Sequence, residues 1–435
     1  MTSHHPKRIV PEYWDEGLEC VSPDRLEEIR TLKMQKHLRY AYQNSLFYKR
    51  VFDKAGLKPE EIKTLEDYSR RVPFLRHRQL IENQNRHPPF GDLLCVDLKD
   101  IRRIYCSPGP LVMPFSKSDM DEYINATANG LYICGARRGD IVDVTHAYQW
   151  DLGGTMLDDG FRRLGCAVVP GGTGMARTHI IIMRHLGVTV LFAFPVFAMK
   201  LAETAKEMGI DPRKDLEIRL IIIKGEAAYG GRDKEILAKE FGAEVREMYG
   251  GAEAGFLAAE CAYGGGLHLF TDSVTEIINP LTGRASAEGE GGEIVTTDLS
   301  RKAMPIIRYR TEDWVEGLTF EACPCGRTSP RIKRIAGRTG NIVRLKGVYL
   351  IPEAVSQIVR KHDELGKYQI LVDCPGSKER LLIKVESSDL ENQQGIKQQL
   401  IEDLRTVTRL RAEIDLVPFG TIGQDAPMIV DERLH

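Results

Sequence analysis

The apolar positions near the start of the chain follow a helical spacing. Between about residues 24 and 56 they recur three or four residues apart, at Leu26, Ile29, Leu32, Leu38, Tyr42, Leu46, Tyr48 and Val51. Ser22-Pro23-Asp24 supplies start signals, because a serine side chain can accept from free N–H groups and proline fits a first turn. The pattern predicts an amphipathic helical segment that leads into the main fold.

A different pattern occupies about residues 100–300, where short apolar runs alternate with helical patterns. The runs, each close to glycine, proline or a polar turn, are 141–144, 167–170, 188–195, 218–223 and 244–248. Such alternation is typical of an α/β fold with mostly parallel strands, whose carboxyl ends carry the ligand-binding loops. A glycine-rich turn at 288–292 then precedes a strand-like run, which indicates a β-richer lobe between about 270 and 320.

The last hundred residues combine both patterns. Strand-like runs at 342–345, 368–372, 381–385 and 413–417 are separated by helical stretches near 353–362 and 391–408, as in a small α+β domain. A chain of 435 residues is also too long for one compact core. We therefore expect a large N-terminal domain of layered α/β lobes over 1–337 and a small mobile domain over 338–435.

Composition narrows the class of protein. The chain has 42% hydrophobic and 28% charged residues and a formal net charge of −2, which is typical of a globular protein and argues against nucleic acid as a partner. It has neither an apolar leader near the N-terminus nor an uninterrupted apolar run of about 18 residues, so we expect a cytoplasmic protein with no membrane partner. Nine cysteines without a secretion signal favour reduced thiols or metal ligands over disulfides.

Four residues have the chemistry of a metal site. Cys261 and His268 lie seven apart in a glycine-rich stretch, and Cys323-Pro324-Cys325 follows. Three thiols and one imidazole would complete a closed, tetrahedral, structural Zn²⁺ site. The alternative is a set of unligated core thiols, because cysteine is often buried and Cys-x-Cys is less diagnostic than Cys-x-x-Cys.

An ordered set of motifs carries a family resemblance from Tyr13 to about residue 420. The motifs are Asn44-Ser45-Leu46-Phe47-Tyr48, Pro73-Phe74-Leu75, Pro89-Phe90-Gly91, Tyr249-Gly250-Gly251-Ala252-Glu253, Arg308-Tyr309-Arg310-Thr311-Glu312-Asp313, Cys323-Pro324-Cys325-Gly326-Arg327-Thr328, Gly337-Arg338 and Lys346-Gly347-Val348. Each motif is weak evidence, whereas their order is specific. The chain resembles the phenylacetate-CoA ligase family of the adenylate-forming superfamily.

The resemblance implies that Tyr249-Gly250-Gly251 lies over the adenylate and that Glu253 helps to hold Mg²⁺ against the phosphates. The chemistry is reasonable, because glycine permits close backbone approach and Mg²⁺ prefers a carboxylate beside phosphate oxygens. Taken alone, the stretch also fits a plain glycine turn with an acid at a helix start.

Further cofactor contacts are implied by the same resemblance. They are Gly225, Glu226 and Ala227 in an adenine-pocket loop, Asp313 as acceptor from the ribose hydroxyls, Arg338 as a second ribose or phosphate contact, and Lys346 in a loop that approaches coenzyme A. Hydrogen bonds from a diol to a carboxylate are charge-assisted, which makes Asp313 a suitable acceptor. Without its flanking motif, Asp313 would also fit a surface acid beside two arginines.

The implied activity is AMP-forming ligation in two steps. A carboxylic acid and MgATP give an acyl-adenylate and pyrophosphate, and coenzyme A then gives the thioester and AMP. The implied acid is aromatic or arylacetic, bound by segments 148–154 and 194–197, from which we select Tyr148, Trp150, Gly153 and Phe197. Aromatic residues in α/β loops are often simple core, so a packing role stays open. A homodimer also stays open.

Two parts of the chain depart from the family pattern. The loop that should surround the ATP phosphates is shortened to 105–111, and Pro108 and Pro110 lack the N–H groups of a phosphate cradle. In the small domain the last lysine is Lys397, and an alignment of the tail puts Asp425, or a neighbour such as Gln424, where the family places a C-terminal catalytic lysine. The hinge of that domain is changed too, because the acid expected two residues after Arg338 is Gly340, and glycine would keep the joint mobile. Two alternatives to the ligase follow: a nucleotide- or acyl-CoA-binding protein that has lost adenylation, and an adenylyl-transferring enzyme that does not use coenzyme A.

Overall fold

A computed structural model of the chain describes residues 12–107, 111–225, 232–287, 289–339, 343–345, 348–350, 352–373, 380–388, 393–408, 410–423 and 426–432. They form two compact units. The first contains the described residues up to 225 with 234–311 and 315–334, and the second contains 232–233, 312–314 and the described residues from 335 onward. None of the helices in these residues is both long and apolar enough to span a membrane.

The N-terminal part of the first unit is helical. Its helices are α1 (Glu16–Glu19), α2 (Pro23–Asn44), α3 (Leu46–Lys54), α4 (Leu65–Arg71) and α5 (His77–Arg86). Ser22 caps α2 through a hydrogen bond from the Arg25 N–H, as the sequence predicted. The predicted single segment is divided at Ser45, whose extended backbone ends α2 and whose side chain caps α3.

Nine strands form the main sheet of this unit. They are β3 (Ile141–Val144), β4 (Ala167–Val169), β5 (Val190–Ala193), β6 (Leu220–Ile223), β7 (Glu244–Gly251), β8 (Gly255–Glu260), β9 (Leu267–Leu269), β13 (Leu318–Thr319) and β14 (Arg331–Ile332). Their order is β13-β14-β9-β8-β7-β6-β5-β3-β4. The strands from β4 to β7 are parallel and those beyond β7 are antiparallel. All five apolar runs predicted between 141 and 248 are therefore strands.

Helices cover both faces of the parallel strands. They are α6 (Lys117–Ile133), α7 (Leu152–Leu164), α8 (Ala176–Leu186), α9 (Pro195–Glu207), α10 (Pro212–Asp215) and α11 (Asp233–Phe241). In β5, Val190 and Phe192 join the core on the α6–α7 side, whereas Leu191 and Ala193 join the core on the α8–α9 side. A strand covered on both faces needs apolar side chains at every position, which explains why these runs do not alternate with polar residues.

The predicted β-rich lobe is also present. A hairpin of β1 (Ile101–Ser107) and β2 (Leu111–Ser116) is antiparallel, as is the pair of β10 (Ser273–Ile278) and β11 (Gly292–Asp298). The next strand, β12 (Tyr309–Val315), follows β11 in its sheet. Arg310 on β12 forms a buried ion pair with Glu293 on β11, so a charge-assisted bond supports this pairing.

The second unit is the α+β arrangement predicted for the C-terminal part. It contains β15 (Ile335–Arg338), β16 (Val343–Leu345), β17 (Val348–Leu350), α12 (Pro352–Val359), β18 (Leu365–Asp373), β19 (Arg380–Ser387), α13 (Gln393–Thr408), β20 (Glu413–Pro418) and β21 (Ile429–Asp431). Four strands form a sheet in the order β20-β19-β18-β21. Ile370 and Ile383 of this sheet pack with Val355 and Leu400 of the two helices. The proposed hinge residue, Gly340, lies outside the described residues.

Candidate active site

The loops that follow the parallel strands gather at one edge of the main sheet. Parallel neighbours present their carboxyl ends together, so the loops after β3, β5, β6 and β7 are brought close in space. Tyr148 and Gly225 lie on these loops, Tyr249 lies near the carboxyl end of β7, and Phe197 lies in the first turn of α9. The fold thus brings together segments that the sequence separates by a hundred residues.

Three side chains, those of Ser107, His77 and Arg301, contact Glu253. The Ser107 hydroxyl donates to Glu253 Oε1 at 3.0 Å, and His77 Nδ1 lies 3.5 Å from the same oxygen. Arg301 Nη1 donates to the Glu253 carbonyl oxygen at 2.9 Å. One carboxylate therefore meets the β1–β2 hairpin and the first residue of α5, while its backbone is held from the segment after β11.

Sequence reasoning identified Glu253, and Ser107 lies in the loop at 105–111 that it singled out, but it missed His77 and Arg301. His77 stands two residues after the Pro73-Phe74-Leu75 motif, and its position at the start of a helix was the available signal. Nothing in the sequence indicated that Arg301 belongs to the site, because an arginine near the end of a strand usually lies on the surface.

The glycines of the Tyr249–Gly251 stretch have different roles. A Cβ on Gly250 would lie 2.3 Å from the carbonyl oxygen of Gly255, so the β7–β8 hairpin itself requires this glycine. A Cβ on Gly251 would have only the Glu253 side chain within reach, at 4.0 Å. Only Gly251 therefore leaves open space beside Glu253, and backbone approach to a ligand is plausible there alone.

The predicted ribose residues meet each other in the second unit. Arg338 Nη1 donates to Asp313 Oδ1 at 3.1 Å, and Arg338 Nη2 donates to Glu312 Oε2 at 3.3 Å. Asp313 and Arg338 remain partly exposed, so a ribose hydroxyl can approach the carboxylate. Glu312, which sequence reasoning did not select, shares the same arginine.

The four predicted pocket residues are not equivalent. The Trp150 side chain is 80% exposed, and it is the backbone of Trp150 that contacts β1, accepting from the Cys106 N–H at 2.8 Å. The Tyr148 hydroxyl donates to Asp158 at 3.2 Å, and burial raises the pKa of Tyr148 well above its usual range. Phe197 packs edge-on against His179 with ring centroids 5.5 Å apart. Gly153 lies beside the ring of His146.

His146 was missed by sequence reasoning, although it comes two residues after β3. Its ring stacks on Phe194 at a centroid distance of 4.2 Å, and a Cβ on Gly153 would lie 3.3 Å from it. Both ring nitrogens are buried without a hydrogen-bond partner among the described residues. Burial, reinforced by the charge of Lys224, lowers the pKa of His146 to about 3, so the ring is neutral at pH 7. A neutral imidazole offers one donor and one acceptor to a ligand or a water molecule.

The metal-site prediction corresponds to a compact cluster. The ligand atoms of Cys261, His268, Cys323 and Cys325 all lie within 4.8 Å of one another, and all four residues are buried. The Cys261 and Cys323 sulfurs are 3.6 Å apart, and Cys325 Sγ lies 3.4 Å from His268 Nε2. A tetrahedral zinc with bonds of about 2.0–2.3 Å requires ligand separations of roughly 3.3–3.8 Å, so the donor set and these two separations fit the ion.

The surroundings of the cluster favour metal ligation. Interaction with the Cys261 thiol, together with the contact to His268, holds the pKa of the Cys325 thiol well below its usual range. The Ser329 hydroxyl lies 3.5 Å from His268 Nδ1, which leaves Nε2 directed at the sulfurs. Glu226, Ala227 and Lys346, and also Asp425, lie outside the described residues.

Comparison with known proteins identifies the family. A family model described as the AMP-binding enzyme C-terminal domain matches residues 347–433. The phenylacetate-coenzyme A ligase of Thermus thermophilus is 30% identical over 381 residues, which cover 86% of this chain and 84% of that protein. The chain belongs to the phenylacetate-CoA ligase family. A second phenylacetate-coenzyme A ligase, from Aromatoleum evansii, is 28% identical over 440 residues and covers 96% of this chain and 97% of its own.

Solved structures agree with this assignment. An open conformation of 2-hydroxyisobutyryl-CoA ligase, in complex with 2-HIB-AMP and CoA, has a TM-score of 0.87 and 25% identity, and the match covers 99% of this chain and 97% of that one. The amide bond synthetase McbA from Marinactinospora thermotolerans shares the fold, with a TM-score of 0.51 over 74% of this chain and 66% of that one at 17% identity. The predicted family and α/β fold class are confirmed, and the protein is an AMP-forming acid–thiol ligase that uses ATP and coenzyme A.

Proposed function

We propose that this phenylacetate-CoA ligase family member activates an aromatic or arylacetic acid. The observation that carries the proposal is Phe194, whose ring stands at the end of β5 with 41% of the residue exposed and His146 stacked behind it. A supported aromatic face at the ligand-binding edge of the sheet suits a planar acid, because offset stacking adds to simple burial. The names of the relatives support the same class of acid.

A small hydroxy acid is the second candidate. It is favoured by the two ring nitrogens of His146, which lack a hydrogen-bond partner among the described residues, since a hydroxyl can donate to the unprotonated nitrogen or accept from the protonated one. The structural neighbour that acts on 2-hydroxyisobutyrate supports this candidate. Burying an imidazole without partners is unfavourable by about 1–3 kcal/mol, which such a substrate would recover on binding.

Thioester formation with a panel of acids separates the two candidates. We expect phenylacetate to be used with a kcat/KM at least about tenfold above that of 2-hydroxyisobutyrate, because the larger ring buries more apolar area. His146→Phe should leave phenylacetate turnover within about threefold and should lower hydroxy-acid turnover by a further tenfold or so. The reverse preference would transfer the assignment to the hydroxy acid. Pyrophosphate release that does not depend on coenzyme A would favour adenylyl transfer, and no release with any acid would favour a binding protein.

We further propose two sets of nucleotide contacts, one around Glu253 in the first unit and one around Asp313 in the second. The Glu253 carboxylate, oriented by Ser107, would hold Mg²⁺, which neutralises phosphate charge when it is bound. Asp313 would accept from the ribose hydroxyls while Arg338 holds the carboxylate in place. Gly225, Glu226, Ala227 and Tyr249 complete the proposed adenine contacts, and Lys346 is proposed to approach coenzyme A.

Asp313→Ala is expected to weaken AMP binding by roughly 10- to 100-fold, as measured by calorimetry, because hydrogen bonds to a charged acceptor contribute about 1.5–3 kcal/mol. Glu312→Ala is the matched control, since Glu312 pairs with the same arginine and carries the same charge. The control should change AMP affinity by less than about threefold. Equal effects of the two substitutions would show that Asp313 acts only through Arg338.

We propose that Cys261, His268, Cys323 and Cys325 hold one structural zinc ion, because four protein ligands leave no open position for water.

We also propose that acyl-adenylate formation is slow, because Asp425 replaces the lysine that would stabilise the developing charge. A slow first step would leave the protein a ligase whose thioester step is intact.

A further inference from the structure

Arg301 is a buried cation that forms no ion pair with any residue that the structure describes. Only 2% of the residue is exposed, and its Nε and Nη2 groups have no hydrogen-bond partner among the described residues. Three other buried arginines, Arg308, Arg310 and Arg327, each meet a carboxylate. A buried, permanently charged guanidinium without a counter-ion is unfavourable, so its retention requires another source of stabilisation.

The contacts that Arg301 does make point toward the nucleotide site. Nη1 donates to the carbonyl oxygen of Glu253 at 2.9 Å, and the guanidinium carbon lies 4.4 Å from the ring centroid of Phe115 on β2. The Asp298 carboxylate accepts from the Arg301 backbone N–H at 3.3 Å and does not pair with the guanidinium, so a carbonyl dipole and an aromatic face are the direct contacts and stabilise the cation only partly. The charge therefore lies between the strand that follows the shortened phosphate loop and the residue proposed to hold Mg²⁺.

We infer that Arg301 supplies a fixed positive potential that favours the phosphates of the nucleotide. The inference rests on the proposed placement of the phosphates beside Glu253. Arg301 acts as a positioning residue through its field and through the Glu253 backbone, and it does not touch the ligand. A charge held in a low-dielectric interior acts over several ångströms with little screening, so contact is not required. Such a charge compensates in part for the two backbone N–H donors that Pro108 and Pro110 do not provide.

The test compares ligands that differ only in charge. For Arg301→Met, calorimetry should show a loss of affinity of roughly tenfold or more for ATP, about threefold for AMP and none for adenosine. Arg301→Lys retains the charge and should stay within about threefold of wild type for all three ligands. A purely structural role would reduce affinity for the three ligands by the same factor, and that outcome would overturn the inference.

Arg137 provides a matched control. Like Arg301, Arg137 donates to backbone carbonyl oxygen, in this case to two of them, and its guanidinium lies 3.7 Å from the ring centroid of Tyr132. Because Arg137 precedes β3, it stands at the opposite edge of the sheet. Arg137→Met should not reduce the affinity for ATP more than the affinity for AMP or adenosine. If Arg301→Met does not fold, the same comparison applies to Arg301→Gln, and a uniform loss there again overturns the inference. Wild-type protein that binds neither ATP nor AMP would refute the proposed nucleotide site itself, and wild-type binding with uniform losses would refute only the role of Arg301.

Discussion

A synthetic acyl-adenylate supplied with coenzyme A is expected to give thioester about 10²–10³ times faster than ATP and free acid do, because loss of one positioned charge in a low-dielectric site typically has an effect of this size. No lysine follows Lys397 in the chain, and we place Asp425, or its neighbour Gln424, at the position of the lysine that the family has near its C-terminus. In the second step the sulfur of coenzyme A attacks the acyl carbon and AMP leaves, so no carboxylate has to attack the α-phosphate and this step need not be slowed equally. Single-turnover measurement of each half-reaction provides the comparison.

Asp425→Lys should recover part of the first step, while Asp425→Asn serves as its control. The asparagine removes the negative charge without adding a positive one, so a gain with lysine alone assigns the effect to the cation. If neither variant helps, the shortened loop at 105–111 is the stronger block. Acyl-adenylate formation by the wild-type chain at ordinary rates of roughly 1–10³ per second would contradict the proposal. Another cation, such as Arg409, Arg411 or Arg433, would then have the role of the lysine.

Removal of the proposed zinc should have the largest effect on stability. We expect one zinc ion per chain to remain after washing with a chelator, and we expect none to remain when Cys323 and Cys325 are both replaced by serine. Because a structural zinc contributes about 10–16 kcal/mol of apparent binding energy to the folded state, the double variant should unfold at a temperature lower by at least roughly 10 °C. Metal analysis and thermal unfolding measure the two effects separately.

Cys166→Ser is the control for a buried thiol, because Cys166 lies in the same hydrophobic core but outside the metal cluster. It should retain the ion and change the melting temperature only by the amount typical of a single core substitution. Zinc that survives the double substitution, or less than one ion per chain in the wild-type protein, would exclude this site.

The sequence alone determined the layered architecture. The apolar runs became β3 to β7 because a strand covered on both faces is apolar at every position, and this signal is local. The first helical segment is divided at Ser45, whose side chain caps the next helix, so the cause of the division is also local. The periodicity of the apolar residues nevertheless continues across Ser45 and does not reveal the division. Spacing reports which face is buried and does not report where a backbone leaves the helical conformation.

Motifs in the sequence also selected Glu253, Asp313, Arg338 and the metal-site residues, because their chemistry is visible in the residue types. The tertiary structure decided which of them meet and what surrounds them. Ser107 and Glu253 are 146 residues apart, and Cys261 and Cys323 are 62 apart, so their contacts depend on how β-strands distant in the chain are arranged. Arg301 and His146 could not be found from sequence, because burial without a partner is a property of the packed interior. A residue type alone does not indicate whether its polar atoms are satisfied, and at these two positions that question was settled only by the fold.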